Sequence, residues 1–301
     1  MPNLYADLTM IRQSLMDSAA LDAADEARVL TLLEAASRRV DQRCRRFFYT
    51  EHATRYFDGD GYENIYVPDL LAVPDTTDGI KLDEDGDRTY ELSLAAATDY
   101  YLEHAGRSPG GPGGDLDAAP FNVLRLDAVN GQRSTFTWRR RLIEIGGSPL
   151  ARWGYTEATE AVVTGAGVAV TGTLADAADL TLAVSDDADL AIGQTLRLGD
   201  VDTGEQLYIS GGTASPFTVV RGLNGTTAAE HTDVALRRFT YLPEVVEAVV
   251  MLASRMWKRR ESAYSNIISN EVAGTMQVFR QLDPDVEALL APLVRYSTMV
   301  A

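Results

Sequence analysis

The apolar positions of residues 21–48 recur every three or four residues, which predicts a long helix with one buried face. Asp22 is the expected N-cap, and basic residues in the last turn complement the helix dipole. The predicted apolar face consists of Leu30, Leu33, Ala36, Val40, Cys44 and Phe47. A face of this width indicates that the helix packs against other elements of the core.

Three further segments show helical spacing. Residues 241–261 carry two adjacent apolar stripes behind Pro243, which predicts a helix buried on more than one side and packed against residues 21–48. Residues 3–17 predict a short helix that forms a hairpin with residues 21–48. Residues 283–295 predict a final short helix with Pro284 in its first turn.

After residue 48 the period changes from 3.6 to two, which predicts short β-strands. We expect an antiparallel sheet, whose first two strands form a hairpin across the turn at residues 58–61. The glycine- and proline-rich residues 106–114 predict an exposed loop. The strands are predicted at residues 54–57, 64–67, 80–82, 90–94, 100–102, 123–126, 135–138 and 142–145.

From residue 160 the composition shifts to Ala, Thr, Val, Asp and Gly, with short strands between regularly spaced turns. This predicts a small β-barrel or sandwich over residues 160–239, inserted into a discontinuous core domain of residues 1–159 and 240–301. The predicted class is α+β: a helical bundle core, made of the N-terminal hairpin and the C-terminal helix, with an antiparallel sheet and the inserted all-β module. Its strands are predicted at residues 168–170, 180–184, 195–198, 206–209, 217–220 and 234–236.

The net charge of the 301 residues is -17, and residues 51–159 and 160–238 contribute -9 and -7 of it. An acidic surface disfavours tight phosphate binding, although DNA can pass such a surface without being gripped. No apolar run is long enough to span a bilayer and no signal peptide is apparent, so we expect a soluble protein without membrane contact.

The chain offers little nucleophilic or imidazole chemistry. Cys44 is the single cysteine, which excludes an internal disulfide, and its place on an apolar stripe predicts a core residue. His52, His104 and His231 lack the spacing of metal ligands, so we expect ordinary structural roles for them.

An acidic stretch resembles the start of a calcium loop. Asp83, Asp85 and Asp87 have the alternating spacing, but Arg88 replaces the turn glycine and Leu94 replaces the bidentate glutamate. We therefore predict a solvated acidic hairpin tip.

Trp138 followed by three arginines, Arg139 to Arg141, admits a nucleic-acid contact, but ion pairs are the favoured interpretation in so acidic a segment. Gly165 and Gly167 lack the third glycine of a dinucleotide site. No active site assembles from these motifs, so we expect a protein that is not an enzyme and has no cofactor or metal.

A resemblance to a known family rests on segments in a fixed order: the segment from Tyr5 through LLEAASRRVDQRCRRFF, then TRYFDGDG, IYVPDLLAV, DYYLEHAG, RRLIEIGG, WGY, LPEVVEAVVMLASRMWKRRES and DPDVEALLAPLVRY. In this order they resemble the head-to-tail connector, or adaptor, proteins of long-tailed bacteriophages. Residues 160–239 depart from the short adaptors of this family and are similar to small β modules that decorate phage structural proteins.

The resemblance implies a structural virion protein, made in the bacterial cytoplasm, that forms a ring, usually of about twelve subunits, at the neck. The ring joins the portal to the next connector or tail terminator protein and extends the channel for double-stranded DNA. It implies portal contacts by Asp283, Asp285, Leu289, Leu290, Leu293, Arg295 and Tyr296. The subunit or tail interface loop is expected to include Arg107, Gly110, Gly111, Gly113 and Gly114.

Two alternatives remain open at the level of sequence. One is a tail or baseplate component whose β module binds host-surface carbohydrate. The other is a hydrolase that uses the acidic loops, Asp83 and Asp85 among them.

Overall fold

The computed structural model describes residues 3–15, 22–74, 77–104, 120–128, 134–187, 189–259, 267–270, 275–278 and 283–295. The protein is mostly β, with 24% of it helical. Its described strands form a five-stranded sheet, a four-stranded sheet, a seven-stranded sheet that closes into a barrel, and a two-stranded hairpin. The predicted α+β class with a helical bundle core is therefore wrong. Within the described residues there are three hydrophobic clusters, of which one is mainly helical and the other two are formed mainly by strands.

The first cluster, here the helical cluster, contains residues of all four described α-helices, of the segment before the first helix and of the turn after the last, together with Phe48 and Tyr155. The predicted N-cap is confirmed, since Asp22 accepts a hydrogen bond from the amide of Asp25, and the predicted start of the next long helix at Pro243 is also confirmed. The two long helices pack against each other, as their apolar faces predicted. The helices are α1 (Leu8–Ser14), α2 (Ala23–Cys44), α3 (Pro243–Lys258) and α4 (Pro284–Leu290).

Two antiparallel sheets enclose the second cluster, here the sheet cluster, around Trp153, Phe136 and Leu70. The five-stranded sheet has the order β1-β9-β3-β7-β6 and the four-stranded sheet the order β2-β8-β4-β5. The strands are β1 (Glu51–His52), β2 (Arg55–Phe57), β3 (Asn64–Ala72), β4 (Ile80–Leu82), β5 (Leu92–Leu94), β6 (Tyr100–Glu103), β7 (Phe121–Leu126), β8 (Ile143–Ile145) and β9 (Arg152–Trp153).

The predicted hairpin of residues 54–57 and 64–67 is wrong. β2 pairs with β8, whereas β3 pairs with β7 and β9, so the two strands belong to different sheets. The predicted strand at residues 135–138 is also absent, because residues 134–141 form turns and bends before β8. The partners of β2 and β3 lie far away in sequence.

The third cluster, here the barrel cluster, lies inside a closed barrel of six strands. The long strand β16 closes the barrel because it pairs with β11 through one half and with β13 through the other. β10 extends the sheet beside β16. The strands are β10 (Thr159–Ala161), β11 (Thr171–Leu174), β12 (Thr181–Val184), β13 (Thr195–Leu198), β14 (Glu205–Gly211), β15 (Phe217–Val220) and β16 (His231–Phe239). β17 (Ile267–Asn270) and β18 (Thr275–Val278) form the separate hairpin.

A buried carboxylate fixes the loop between β15 and β16. Glu205 accepts hydrogen bonds from Arg221 Nε at 2.9 Å and from the amides of Gly222 and Ala229, and His231 Nε2 lies 2.9 Å away. Burial opposes ionisation of Glu205, but Arg221 and these amides outweigh it and lower its pKa. The ionised carboxylate of Glu205 therefore has a structural role in the barrel, where it holds this loop.

Candidate functional site

The C-terminal segment, residues 283–295, lies against the helical cluster. α4 begins at Asp283, whose side chain accepts a hydrogen bond from the amide of Asp285 and lies 3.3 Å from Arg255 of α3. Leu290 and Leu293 are buried in the helical cluster. These two of the expected portal contacts therefore hold the segment to its own chain.

The end of this segment is tied to α2 and to β3. The amide of Arg295 donates to the carbonyl of Cys44 at 2.9 Å, and its guanidinium lies 3.5 Å from the buried Asp69. Arg46 approaches the same carboxylate at 3.6 Å and stacks over the ring of Tyr155. The segment thus joins the helical cluster to the five-stranded sheet.

The remaining expected portal contacts differ in accessibility. Asp285 is exposed, Leu289 is half-buried, and Tyr296 lies outside the described residues. The exposed side of the segment also includes Ala288 and Ala291. A partner that docks on this segment contacts this side, since Leu290 and Leu293 face inward.

The expected interface loop, with Arg107, Gly110, Gly111, Gly113 and Gly114, lies outside the described residues. Its flanks are the neighbouring antiparallel strands β6 and β7, with Glu103 opposite Val123. The ring of His104 stacks on Phe121 at 4.5 Å, and its Nδ1 lies 3.1 Å from the carbonyl oxygen of Pro120. Residues 104 and 120 are therefore held together at one end of the five-stranded sheet.

A set of polar contacts joins the barrel to the helical cluster. Asp7, the N-cap of α1, accepts a hydrogen bond from the buried Gln194 side chain at 2.9 Å. Asn3 and Asn224 exchange side-chain hydrogen bonds at 2.8 and 3.0 Å. Gln206 donates to the carbonyl of Thr50 at 3.2 Å. These contacts depend on side-chain geometry, so they fix one orientation of the barrel on the core.

A cluster of cations lies beside this junction. Arg152 of β9 forms ion pairs with Glu157 and with Asp202, which lies in the turn between β13 and β14. Burial, followed by the charges of Arg152 and Arg197, lowers the pKa of His52 to about 4. His52 is therefore neutral near neutral pH and acts as a packed residue at the junction.

The acidic loop brings four carboxylates together. Ligand atoms of Asp83, Asp85, Asp87 and Glu91 lie within 4.8 Å of one another. Asp83 accepts hydrogen bonds from the amides of Gly86 and Arg88, at 2.6 and 2.9 Å, and Asp87 accepts one from Thr89. These carboxylates cap the backbone of the turn, as Asp side chains commonly do.

The other candidate side chains are separated or buried. Burial raises the pKa of the Cys44 thiol to about 11, which disfavours the reactive thiolate. Arg141 stacks over Tyr56 with its guanidinium 4.2 Å from the ring centre. Arg139 approaches Gly86 of the acidic loop. The arginine triplet therefore does not form one patch.

Among the described helices, none combines the length and the apolar content needed to cross a bilayer.

Comparison of the chain with protein-family models, with curated proteins and with solved structures found no match.

Proposed function

We propose that the protein is a structural component of a phage virion: the adaptor that forms a ring between the portal and the tail. The observation that carries the proposal is the order of the segments that resemble adaptor proteins. These segments run from residue 5 to residue 155 and from residue 242 to residue 296. They lie on both sides of the barrel in sequence, and they supply part of the helical cluster and part of the sheet cluster.

The charge distribution supports a role beside DNA. The chain carries a net charge of -17, and the excess lies between residues 51 and 238. Double-stranded DNA is repelled by such a surface and passes along it without sequence-specific contacts. In the proposed ring the partners are other copies of the chain, the portal, and the next connector or tail protein at the neck.

The accessible side of the C-terminal segment is the proposed portal contact. Asp285 is exposed in the first turn of α4, and Leu289 is half-buried one turn later. The buried Leu290 and the bonded Arg295 hold this side in place. In the proposed ring, the described part of the segment thus presents a fixed surface against which the portal packs.

Mass photometry tests the proposal directly. The purified protein is measured alone and after mixing with the portal protein encoded in the same genome. We expect a large complex with about one adaptor per portal subunit, because a ring adaptor follows the symmetry of the ring it sits on. A chain that stays a free monomer in both samples contradicts the proposal.

A further inference from the structure

The two most exposed aromatic side chains of the described residues are neighbours. Trp138 is 78% exposed and Tyr62 is 61% exposed. Their ring centres lie 6.4 Å apart, with the planes at 65° to each other. Large aromatic side chains placed in solvent in this way are typical of binding surfaces, where they supply rigid contact area.

An open cleft of about 500 Å³ lies beside these rings: Tyr62 and Gly61 line it, and Trp138 packs on Gly61. Tyr62 lines the cleft together with Asp60, Glu63 and Asn64. The indole of Trp138 packs over the backbone of Gly61, where a Cβ would lie 2.3 Å from the indole Nε1. Gly61 also has a φ of +83°, so glycine both permits the turn and lets the indole approach.

Among the described residues that line the cleft, the charged side chains are those of Asp60 and Glu63, and both are acidic. Glu63 lies 3.6 Å from Arg125, and each of these side chains is nearly half exposed, so solvent screens their attraction. The faces of tryptophan and tyrosine rings also attract cations. Carboxylates and aromatic faces at one cleft therefore favour the same ligand, a positive charge on a flat group.

We propose that the Tyr62–Trp138 cleft binds an arginine side chain presented by a partner protein. A guanidinium stacks on an aromatic face while it donates hydrogen bonds to a carboxylate, and a lysine ammonium does not combine the two as well. A nucleic-acid phosphate is disfavoured, because Asp60 and Glu63 repel it. This proposal does not depend on the adaptor function.

Fluorescence anisotropy of a labelled peptide tests it. The probe is an acetylated pentapeptide with two arginines between glycines, and the matched control carries citrulline, which keeps the shape of arginine without its charge. We expect the arginine peptide to bind the wild-type protein at least about fivefold more tightly than the citrulline peptide. Binding should weaken as the salt concentration rises.

Variants locate the bound peptide. Trp138→Ala should weaken binding by about fivefold and Trp138→Phe by less, because a phenyl face attracts cations less strongly than an indole. The double substitution Asp60→Asn and Glu63→Gln should weaken it similarly. Tyr101→Ala removes another exposed tyrosine, on β6, and should leave the affinity unchanged. Circular dichroism verifies that each variant is folded.

Three outcomes overturn the proposal. The first is equal binding of the citrulline and arginine peptides. The second is arginine-peptide binding that Trp138→Ala leaves intact. The third is no peptide binding together with saturable quenching of tryptophan fluorescence by a chitin trisaccharide that Trp138→Ala abolishes, which identifies a sugar site instead.

Discussion

Asp41 is a half-buried carboxylate between Tyr5 and Arg38. The hydroxyl of Tyr5 donates a hydrogen bond to Asp41 at 2.5 Å and accepts one from the amide of Phe48, and Arg38 lies 3.2 Å from the other carboxylate oxygen. Burial raises the pKa of Asp41 to about 6, against the opposing effects of Arg38 and Tyr5. This single residue thus couples the packing of the N-terminal residues on α2 to pH.

The Asp41→Asn variant should lose part of the pH dependence of stability. A pKa raised to about 6 in the folded protein, from 3.8, means that the folded state binds the proton more tightly than the unfolded state. Lowering the pH from 7 to 5 then increases the contribution of Asp41 to the free energy of unfolding by about 1 kcal/mol. Urea unfolding of both proteins at pH 5 and 7 measures this difference.

The matched control is Asp285→Asn, which changes an exposed carboxylate in the first turn of α4. It should keep the pH dependence of the wild-type protein. An Asp41→Asn variant whose stability changes with pH as the wild type's does would contradict the assigned role of Asp41.

At the scale of single residues, the sequence predicts the roles that depend only on neighbouring positions in the chain. The N-cap Asp22 and the core position of Cys44 follow from their place in one helix, and both are confirmed. The role of Asp41 depends on Tyr5, which is 36 residues away, so helical spacing contains no signal for it. The cleft at Tyr62 and Trp138 is hidden for the same reason.

At the scale of elements, prediction succeeds where the element is long or its partner is close. The segments α2 and α3 repeat their apolar pattern over several turns, and the strands Ile80–Leu82, Thr195–Leu198 and Phe217–Val220 match their predicted bounds. The turn at residues 58–61 resembles a hairpin turn, but β2 and β3 choose distant partners. Strand pairing over such distances is set by the packing of both sheets, which local patterns do not encode.

Helix α4 provides a test of how the C-terminal segment is held. Leu290 is fully buried in the helical cluster, whereas its neighbour Leu289 is half-buried. Leu290→Ala should lower the free energy of unfolding by about 3 kcal/mol, because it removes buried methyl groups and leaves a cavity. Leu289→Ala makes the same chemical change and should cost less than about 1 kcal/mol. Urea unfolding compares the two variants.

The portal complex separates stability from binding. If the exposed side of α4 is the contact, Leu289→Ala should weaken the portal complex at a temperature where both variants remain folded, and mass photometry detects the change. Equal destabilisation by the two substitutions would show that α4 does not pack as described.

At the scale of the whole molecule, the predicted helical bundle failed because the strands are short and their partners are remote. β1 and β9 have two residues each and show no period, yet both belong to the five-stranded sheet. A barrel was one of the two predicted folds for residues 160–239, because the turns of this segment are regularly spaced. Its closure depends on β16 pairing with two strands, β11 and β13, that are separate in sequence.

The two ends of the barrel segment lie next to each other, because Thr159 and Phe239 are paired residues of β10 and β16. The barrel also has its own hydrophobic cluster, formed by residues between Val162 and Leu236. A variant that lacks residues 160–239, with Thr159 joined to Thr240 through two glycines, should therefore retain the helical and sheet clusters. Circular dichroism and urea unfolding measure whether it folds.

We expect this deletion variant to fold with lower stability than the full chain. It loses the hydrogen bonds of Asp7 to Gln194 and of Asn3 to Asn224, and it uncovers the buried residues that pack beside them. The double variant Asp7→Ala and Asn3→Ala in the full chain is the matched control, since it removes these contacts while the barrel remains. If the deletion variant is unfolded while the double variant is folded, loss of these hydrogen bonds alone does not unfold the chain. The barrel would then be an integral part of the core, which contradicts its description as an insertion.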